Sequence, residues 1–142
     1  MTRDVLIRIG GARDSGSDQE EVEMITTGDY FLKDGKHYII YEEIEEDSKQ
    51  ITKNTIKVAP DTLDIIKRGN TNTHMIFQKN KKNISCYMTP FGELVVGIHT
   101  HEVHVEEEKD ALKVDIRYAL DINYEHVSNC NITVQVKSRN ME

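Results

Sequence analysis

Hydrophobic and polar positions alternate along most of the chain with a period of two. The clearest run is Leu112 to Tyr124, in which Leu112, Val114, Ile116, Tyr118, Leu120, Ile122 and Tyr124 are separated by Lys113, Asp115, Arg117, Ala119, Asp121 and Asn123. Successive side chains of a strand point to opposite faces, so this run predicts a strand with one apolar row directed inward and one polar row directed to water. At about 3.3 Å per residue it reaches roughly 43 Å, longer than a small domain is wide, which requires a bent or coiled strand.

The same pattern recurs between turn signals. Val5, Ile7 and Ile9 alternate with Asp4, Leu6 and Arg8, and Gly10-Gly11 with the polar run Arg13 to Glu20 then reads as a loop. Glu21 to Leu32 and Lys36 to Ile44 flank Asp34-Gly35, a strong hairpin signal because a type I′ turn needs positive φ at both central residues. Ile51 to Ala59 and Thr62 to Arg68 flank Pro60-Asp61. Gly69-Asn70, Asn80 to Asn83 and Pro90 to Gly92 then separate strands at His74 to Gln78, Ile84 to Thr89 and Glu93 to Val105. Glu106 to Asp110 leads into the Leu112 strand, and His126 to Asn129 turns the chain into Cys130 to Lys137. Asp14 to Asp18 and the last few residues look disordered.

These are about ten short strands with no amphipathic helix able to serve as a crossover, so parallel pairing is excluded and an antiparallel meander remains. Composition agrees: 16 Ile, 11 Val and 11 Thr stand against ten Ala plus Leu, and branched side chains suit a pleated surface. An open sheet of this size would leave reactive edges, so the expected fold is an all-β, closed antiparallel up-and-down barrel, one domain over residues 1–142.

Several short motifs resemble a known group, the YwiB-like family of uncharacterised proteins from low-GC Gram-positive bacteria. They are Thr26-Thr27-Gly28 with Tyr30, Tyr41-Glu42-Glu43, Arg68-Gly69, Phe91-Gly92-Glu93-Leu94, and Tyr118 with Asn131-Ile132-Thr133. The resemblance implies a calycin-like barrel, the architecture of lipocalins, fatty-acid binders and avidin, and implies no activity. Such a barrel is either filled by side chains or holds one small ligand. Tyr118 and Tyr124 share the apolar row, Tyr41 lies on the Ile39 face, and Arg68 lies on the face of Thr62, Asp64 and Ile66. An inward Arg68 would need a salt bridge or an anionic guest, whereas an outward one would simply be solvated.

The densest chemical cluster is His99-Thr100-His101-Glu102-Val103-His104 followed by Glu106. Its spacing matches the His-x-His-x-Asp-His signature of metallo-β-lactamase-like hydrolases, but Val103 stands where the Asp ligand belongs and the chain lacks that α/β architecture. His99, His101 and Glu106 also satisfy the first cupin motif, His-x-His-x(3 to 4)-Glu. The second cupin motif needs a glycine near a fourth ligand, and the last glycine here is Gly97. With Leu94, Val96 and Ile98 inward, the paired imidazoles fall on the wet face, and the apolar phase shift to Val103 and Val105 predicts a bulge.

Charge and cysteine content narrow the classes further. The net charge is −7, and no stretch without Asp, Glu, Lys or Arg exceeds the eleven residues of His126 to Val136, so a membrane-spanning helix is excluded. Arg8 interrupts the short apolar run at the N-terminus, so no secretion signal is expected and a cytoplasmic location follows. Cys86 and Cys130 are too few for a disulfide scaffold and read, in phase with Ile84, Met88, Ile132 and Val134, as small buried hydrophobes. Ile65 to Gly92 contains no acid and carries +5, from Lys67, Arg68, Lys79, Lys81 and Lys82. Without exposed aromatics among them, nucleic acid is not an expected partner.

No phosphate-binding glycine loop or nucleophile elbow occurs, so no catalytic residue and no cofactor are assigned. The leading expectation is a non-catalytic binder of a small, partly apolar molecule in or at the mouth of the barrel, with Tyr41, Arg68, Tyr118 and Tyr124 as ligand-binding candidates. The alternatives are a cupin-like metal enzyme using His99, His101 and Glu106, and a protein-interaction module, for instance a homodimer.

Overall fold

The computed structural model describes residues 1–15, 18–69 and 72–139, apart from the side chains of 15 and 18–20. Ten strands follow one another: β1 (Asp4–Ser15), β2 (Asp18–Lys33), β3 (Lys36–Ile44), β4 (Ile51–Ala59), β5 (Thr62–Arg68), β6 (Thr73–Gln78), β7 (Lys81–Thr89), β8 (Gly92–Glu108), β9 (Ala111–Ile122) and β10 (Glu125–Ser138). They form one antiparallel sheet in the order β6-β5-β4-β3-β2-β1-β10-β9-β8-β7. Every ladder joins consecutive strands except β1 with β10, where the two ends of the chain pair from Val5↔Ser138 to Asp14↔Asn129. The sheet curls into a nearly closed barrel whose two edges, β6 and β7, face each other. No ladder crosses that seam among the described residues. Instead the Ser85 and Tyr87 hydroxyls of β7 donate to the His74 carbonyl of β6, at 3.5 and 3.3 Å.

Inward rows from all round the sheet meet in one core. Ile7, Ile39, Ile56, Leu63, Phe77, Leu112, Ile116 and Val134 are fully buried, and the Phe77 ring packs edge-on to Tyr118 with centroids 4.9 Å apart. The turn chemistry explains the register. Asp34 and Gly35 take φ of 53° and 75°, as the two-residue hairpin turn requires, with Lys33 paired to Lys36. In β8 a register shift lies between Thr100 and Glu102, and this bulge carries the inward row from Ile98 and Thr100 to Val103.

Three expectations need correction. Arg13 to Glu20 is not a loop: β1 and β2 stay paired out to Ser15↔Asp18, because β10 supports β1 along the same stretch. Arg13 and Asp14 at this end of β1 are exposed, so their polar side chains reach water while the backbone stays paired. The turn into β10 falls at Asn123-Tyr124 rather than at His126 to Asn129. Both residues have positive φ, so the alternation of β9 stops at Ile122 and Tyr124 is 77% exposed instead of inward. The irregularity near His126 is a bulge within β10.

The third correction concerns β7. Its inward row is Asn83, Ser85, Tyr87 and Thr89, opposite Ile98, Val96, Leu94 and Gly92. Its apolar row Ile84, Cys86 and Met88 therefore faces outward, and Cys86 is exposed, while Cys130 is buried as its phase predicts. Residues 16–17 within the disordered-looking stretch, 70–71 at the Gly69-Asn70 turn and 140–142 lie outside the described residues.

Candidate functional site

The two ends of the barrel differ in kind. Where the odd-numbered strands begin, polar side chains bond across the end above buried Val5, Val58, Leu63, Leu112 and Val136. The Tyr30 hydroxyl lies 2.6 Å from His37 Nδ1, and His37 Nε2 lies 2.6 Å from Glu107 Oε1. Burial and the nearby Glu107 charge raise the Tyr30 phenol, so it keeps its proton beside Nδ1, and the Glu107 carboxylate accepts from Nε2 on the other side of the ring. This chain of two bonds ties the β2–β3 hairpin to the far end of β8. Tyr30 and His37 are buried, and Glu107 reaches water.

The opposite end is splayed. Only Asp29 to Lys33 of β2 pair with β3, so the longer part of β2 leaves β3 and overhangs the rim together with β1. The departure point is Gly28, where an added Cβ would lie 2.4 Å from the Ile40 carbonyl oxygen and 3.1 Å from the Tyr41 Cβ. Beyond it the inward row of β1–β2 no longer meets an opposite wall. Gly11, Val22, Tyr118, Leu120 and Ile132 line a cleft of about 240 Å³ on the concave side, with Arg13 and Cys130 at its border. Val22 belongs to the row that is interior elsewhere in the barrel, yet it is 70% exposed. Burial raises the Tyr118 phenol, with a further push from Cys130 and an opposing pull from Arg13.

Beside this cleft, between β3 and β6, the rim is polar. Asn54 Nδ2 donates to Glu43 Oε1 at 2.9 Å, and Lys67 Nζ lies 3.6 Å from the same oxygen. A second hollow, about 350 Å³, opens between Glu43, Thr52, Lys67 and Thr73. Tyr41, one pleat deeper, is buried, and burial followed by the Glu43 charge pushes its phenol up to about 12.

Of the four residues singled out from the sequence, Tyr41 and Tyr118 thus lie inside the open end. Arg68 is exposed on the outer face opposite Lys53, and its neighbour Lys67 occupies the inward position at the rim. Tyr124 stands in its exposed turn, far in orientation from the row that carries Tyr118. His99 and His101 project outward from β8 with ring centroids 4.6 Å apart, while Glu106 pairs with His104 at 3.0 Å. The three side chains of the cupin-like set do not converge, and no group of three or more His, Cys, Asp or Glu among the described residues could hold a metal ion.

On the same outer face Lys82 Nζ reaches over β8 to Asp121 Oδ2 at 2.7 Å. The bond crosses Gly97, whose missing side chain leaves that path clear: a Cβ there would stand 3.1 Å from Lys82 Cε. Asp121 is held below the usual carboxylate range by this bond above all, with His126 and His99 adding to it.

Sequence reasoning missed the Tyr30–His37–Glu107 chain. Its signal was present, because His37 shares the phase of Ile39 and Tyr41 and so was bound to be an inward, partner-seeking imidazole.

A family profile described as a domain of unknown function (DUF1934) matches residues 7–134. The chain belongs to that family. It is 25% identical over 133 residues to the uncharacterized beta-barrel protein YwiB of Bacillus subtilis (strain 168), covering 92% of each chain. The crystal structure of the ywiB protein from Bacillus subtilis superposes with a TM-score of 0.81 at 22% identity, over 97% of this chain and 93% of that one. The barrel architecture is therefore shared across the family relative. No helix among the described residues is long and apolar enough to cross a membrane.

Proposed function

We propose that this protein binds a small, partly apolar molecule at the splayed end of its barrel, in the cleft under the β1–β2 overhang. The observation that carries this reading is the exposure of Val22 on a row that is elsewhere packed. Apolar area left in water on a concave surface is area a ligand can cover at about 25 cal/mol per Å². Filling of the central barrel by Ile7, Ile39, Ile56, Leu63, Phe77 and Ile116 moves binding away from the interior and to the mouth. Tyr118, Leu120 and Ile132 would receive the apolar part, and Arg13 at the border would suit a polar or anionic head group. The calycin likeness read from the motifs fits a carrier of this kind. The protein acts here by binding, without a chemical step.

The test uses 1-anilinonaphthalene-8-sulfonate, which has an apolar body and an anionic head. Saturable one-site fluorescence enhancement that is lost in Val22→Asp and Leu120→Asp is the expected result. No enhancement, or enhancement that both variants leave unchanged, refutes the reading.

A further inference from the structure

Four of the six histidines are held by a carboxylate: His37 by Glu107, His74 by Asp64, His104 by Glu106 and His126 by Asp121, at 2.6, 2.8, 3.0 and 3.8 Å. His99 and His101 make no hydrogen bond or ion pair among the described residues. They lie against each other instead, with ring centroids 4.6 Å apart and planes inclined by 49°. Both are exposed on the outer face of β8. The bulge explains their pairing. Thr100 sits opposite Tyr118 and Glu102 opposite Arg117, so His101 is the extra residue, without a partner on β9, and its ring turns back toward His99. Residues two apart on a regular strand stand about 6.6 Å from each other, and here the rings are closer than that.

Two imidazoles that bind one ion side by side have a defined spacing. With metal–nitrogen bonds of about 2.0–2.1 Å and an angle at the metal of about 90–110°, the ring centres stand roughly 4.5–5.2 Å apart. The pair on β8 already has a separation in that range. Its surroundings leave room for a cation. Lys82, directly across from His99 on β7, is drawn away over Gly97 to Asp121 Oδ2 at 2.7 Å, and Arg117 on β9 lies with Nε 3.8 Å from Glu102 Oε2. The charges facing the pair, Lys82 and Arg117 against Asp121 and Glu102, therefore cancel, and His126 is tied to Asp121. The ligand atoms rather than the field then choose the ion, and imidazole nitrogen favours a transition metal over Mg(II) or Ca(II), which take oxygen. We propose that His99 and His101 form a two-nitrogen site for a divalent transition-metal ion, with Cu(II) held most tightly and water completing its coordination. Glu106, engaged by His104, takes no part, so this site differs from the cupin-like set and acts by binding alone.

The untagged full chain is titrated with CuCl2 and with ZnCl2 by isothermal titration calorimetry, in a buffer that binds metal weakly. One ion per chain is expected, with Cu(II) tighter than Zn(II) and neither displaced by excess MgCl2. In NMR spectra the ring signals of His99 and His101 should be the imidazole signals that substoichiometric Cu(II) broadens first. The second imidazole binds within the same molecule, so His99→Gln and His101→Gln should each weaken Cu(II) binding by at least about tenfold. His104→Gln and His126→Gln should leave it unchanged. All four side chains are exposed, so the variants fold, with circular dichroism as the check. A dissociation constant above about 1 mM for Cu(II) overturns the proposal. So does binding that survives both His99→Gln and His101→Gln, which would place the ion elsewhere. A variant that halves the stoichiometry at unchanged affinity also overturns it, because the two rings would then be acting independently.

Discussion

Gly28→Ala and Gly10→Ala place the same methyl group on adjacent strands of one sheet, and opposite outcomes are expected. At Gly28 the new Cβ would meet the Ile40 carbonyl oxygen at 2.4 Å and Ile7 Cδ1 at 2.8 Å. The Ile7 side chain can turn aside, but the carbonyl is backbone, so β2 must move away from β3 by about 1 Å, the scale on which packed atoms lose their attraction. The ladder there is only five pairs long and ends at Asp29↔Ile40, one residue away. Overpacking costs about 1–3 kcal/mol, and loosening one or two ladder hydrogen bonds adds about 1 kcal/mol each. A loss of about 3–4 kcal/mol follows. With an unfolding entropy of about 2.1 cal/mol/K per residue, that lowers the melting temperature by roughly 10 °C. At Gly10 nothing lies within 4 Å of the added Cβ and φ is not in the left-handed region, so Ala should stabilise by about 0.5–1 kcal/mol through the unfolded chain. Urea unfolding followed by circular dichroism measures both, with equal m-values as the check that the unfolded state is unchanged. A Gly28→Ala midpoint within about 1 kcal/mol of wild type would refute the close-approach account of where β2 leaves β3.

Other consequences can be read from single side chains. His37→Leu should cost about 1–3 kcal/mol because it strands the buried Tyr30 hydroxyl, and Tyr30→Phe added to it should recover part of the loss; strictly additive denaturation energies would contradict this. Phe77→Ala should cost about 3–5 kcal/mol, since Phe77 is fully buried against Tyr118, and a thermal melt close to wild type would mean that the core collapses around the gap. Asp121 has its pKa lowered in the folded state, so its contribution to stability is present above the unfolded carboxylate pKa and is lost as pH falls through the folded value. Lys82→Met should move the Asp121 carboxyl titration, followed by NMR, upward; an unmoved titration would remove Lys82 as the main cause.

How much of this was legible depended on which force decided each position. The fold could be read because burial decides most of it: the rows of β9 and β8 and the hairpin at Asp34-Gly35 are local patterns with local causes. The bulge after Thr100 was legible for the same reason, as a slip of apolar phase from Ile98 to Val103. Tyr124 was misread because Asn123-Tyr124 can be one more step of alternation or a tight turn, and only the pairing of Ile122 with Glu125 chooses between them. Cys86 was misread because its row does alternate, but on a strand at the seam the row that spans the gap to His74 is the polar one. At the open end, Tyr41 and Tyr118 were placed by phase. The cleft beneath Val22 was not, because it arises from the parting of β2 from β3 at Gly28, a tertiary event with one glycine as its local trace.

The ladder between β1 and β10 is the one pairing that must draw together the extremes of the chain, and closing so long a loop costs entropy that grows with its length. The seam between β6 and β7, by contrast, is bridged among the described residues by β7 hydroxyls on the His74 carbonyl, without a backbone ladder, with the backbone of Lys79 held by Asp61 and that of Asn80 by Thr100. A circular permutant that joins the old termini and opens the chain between Lys79 and Asn80 would convert every ladder into a neighbour-to-neighbour hairpin. Because every pairing would then be between strands adjacent in sequence, the permutant should fold faster than its parent while keeping the same walls.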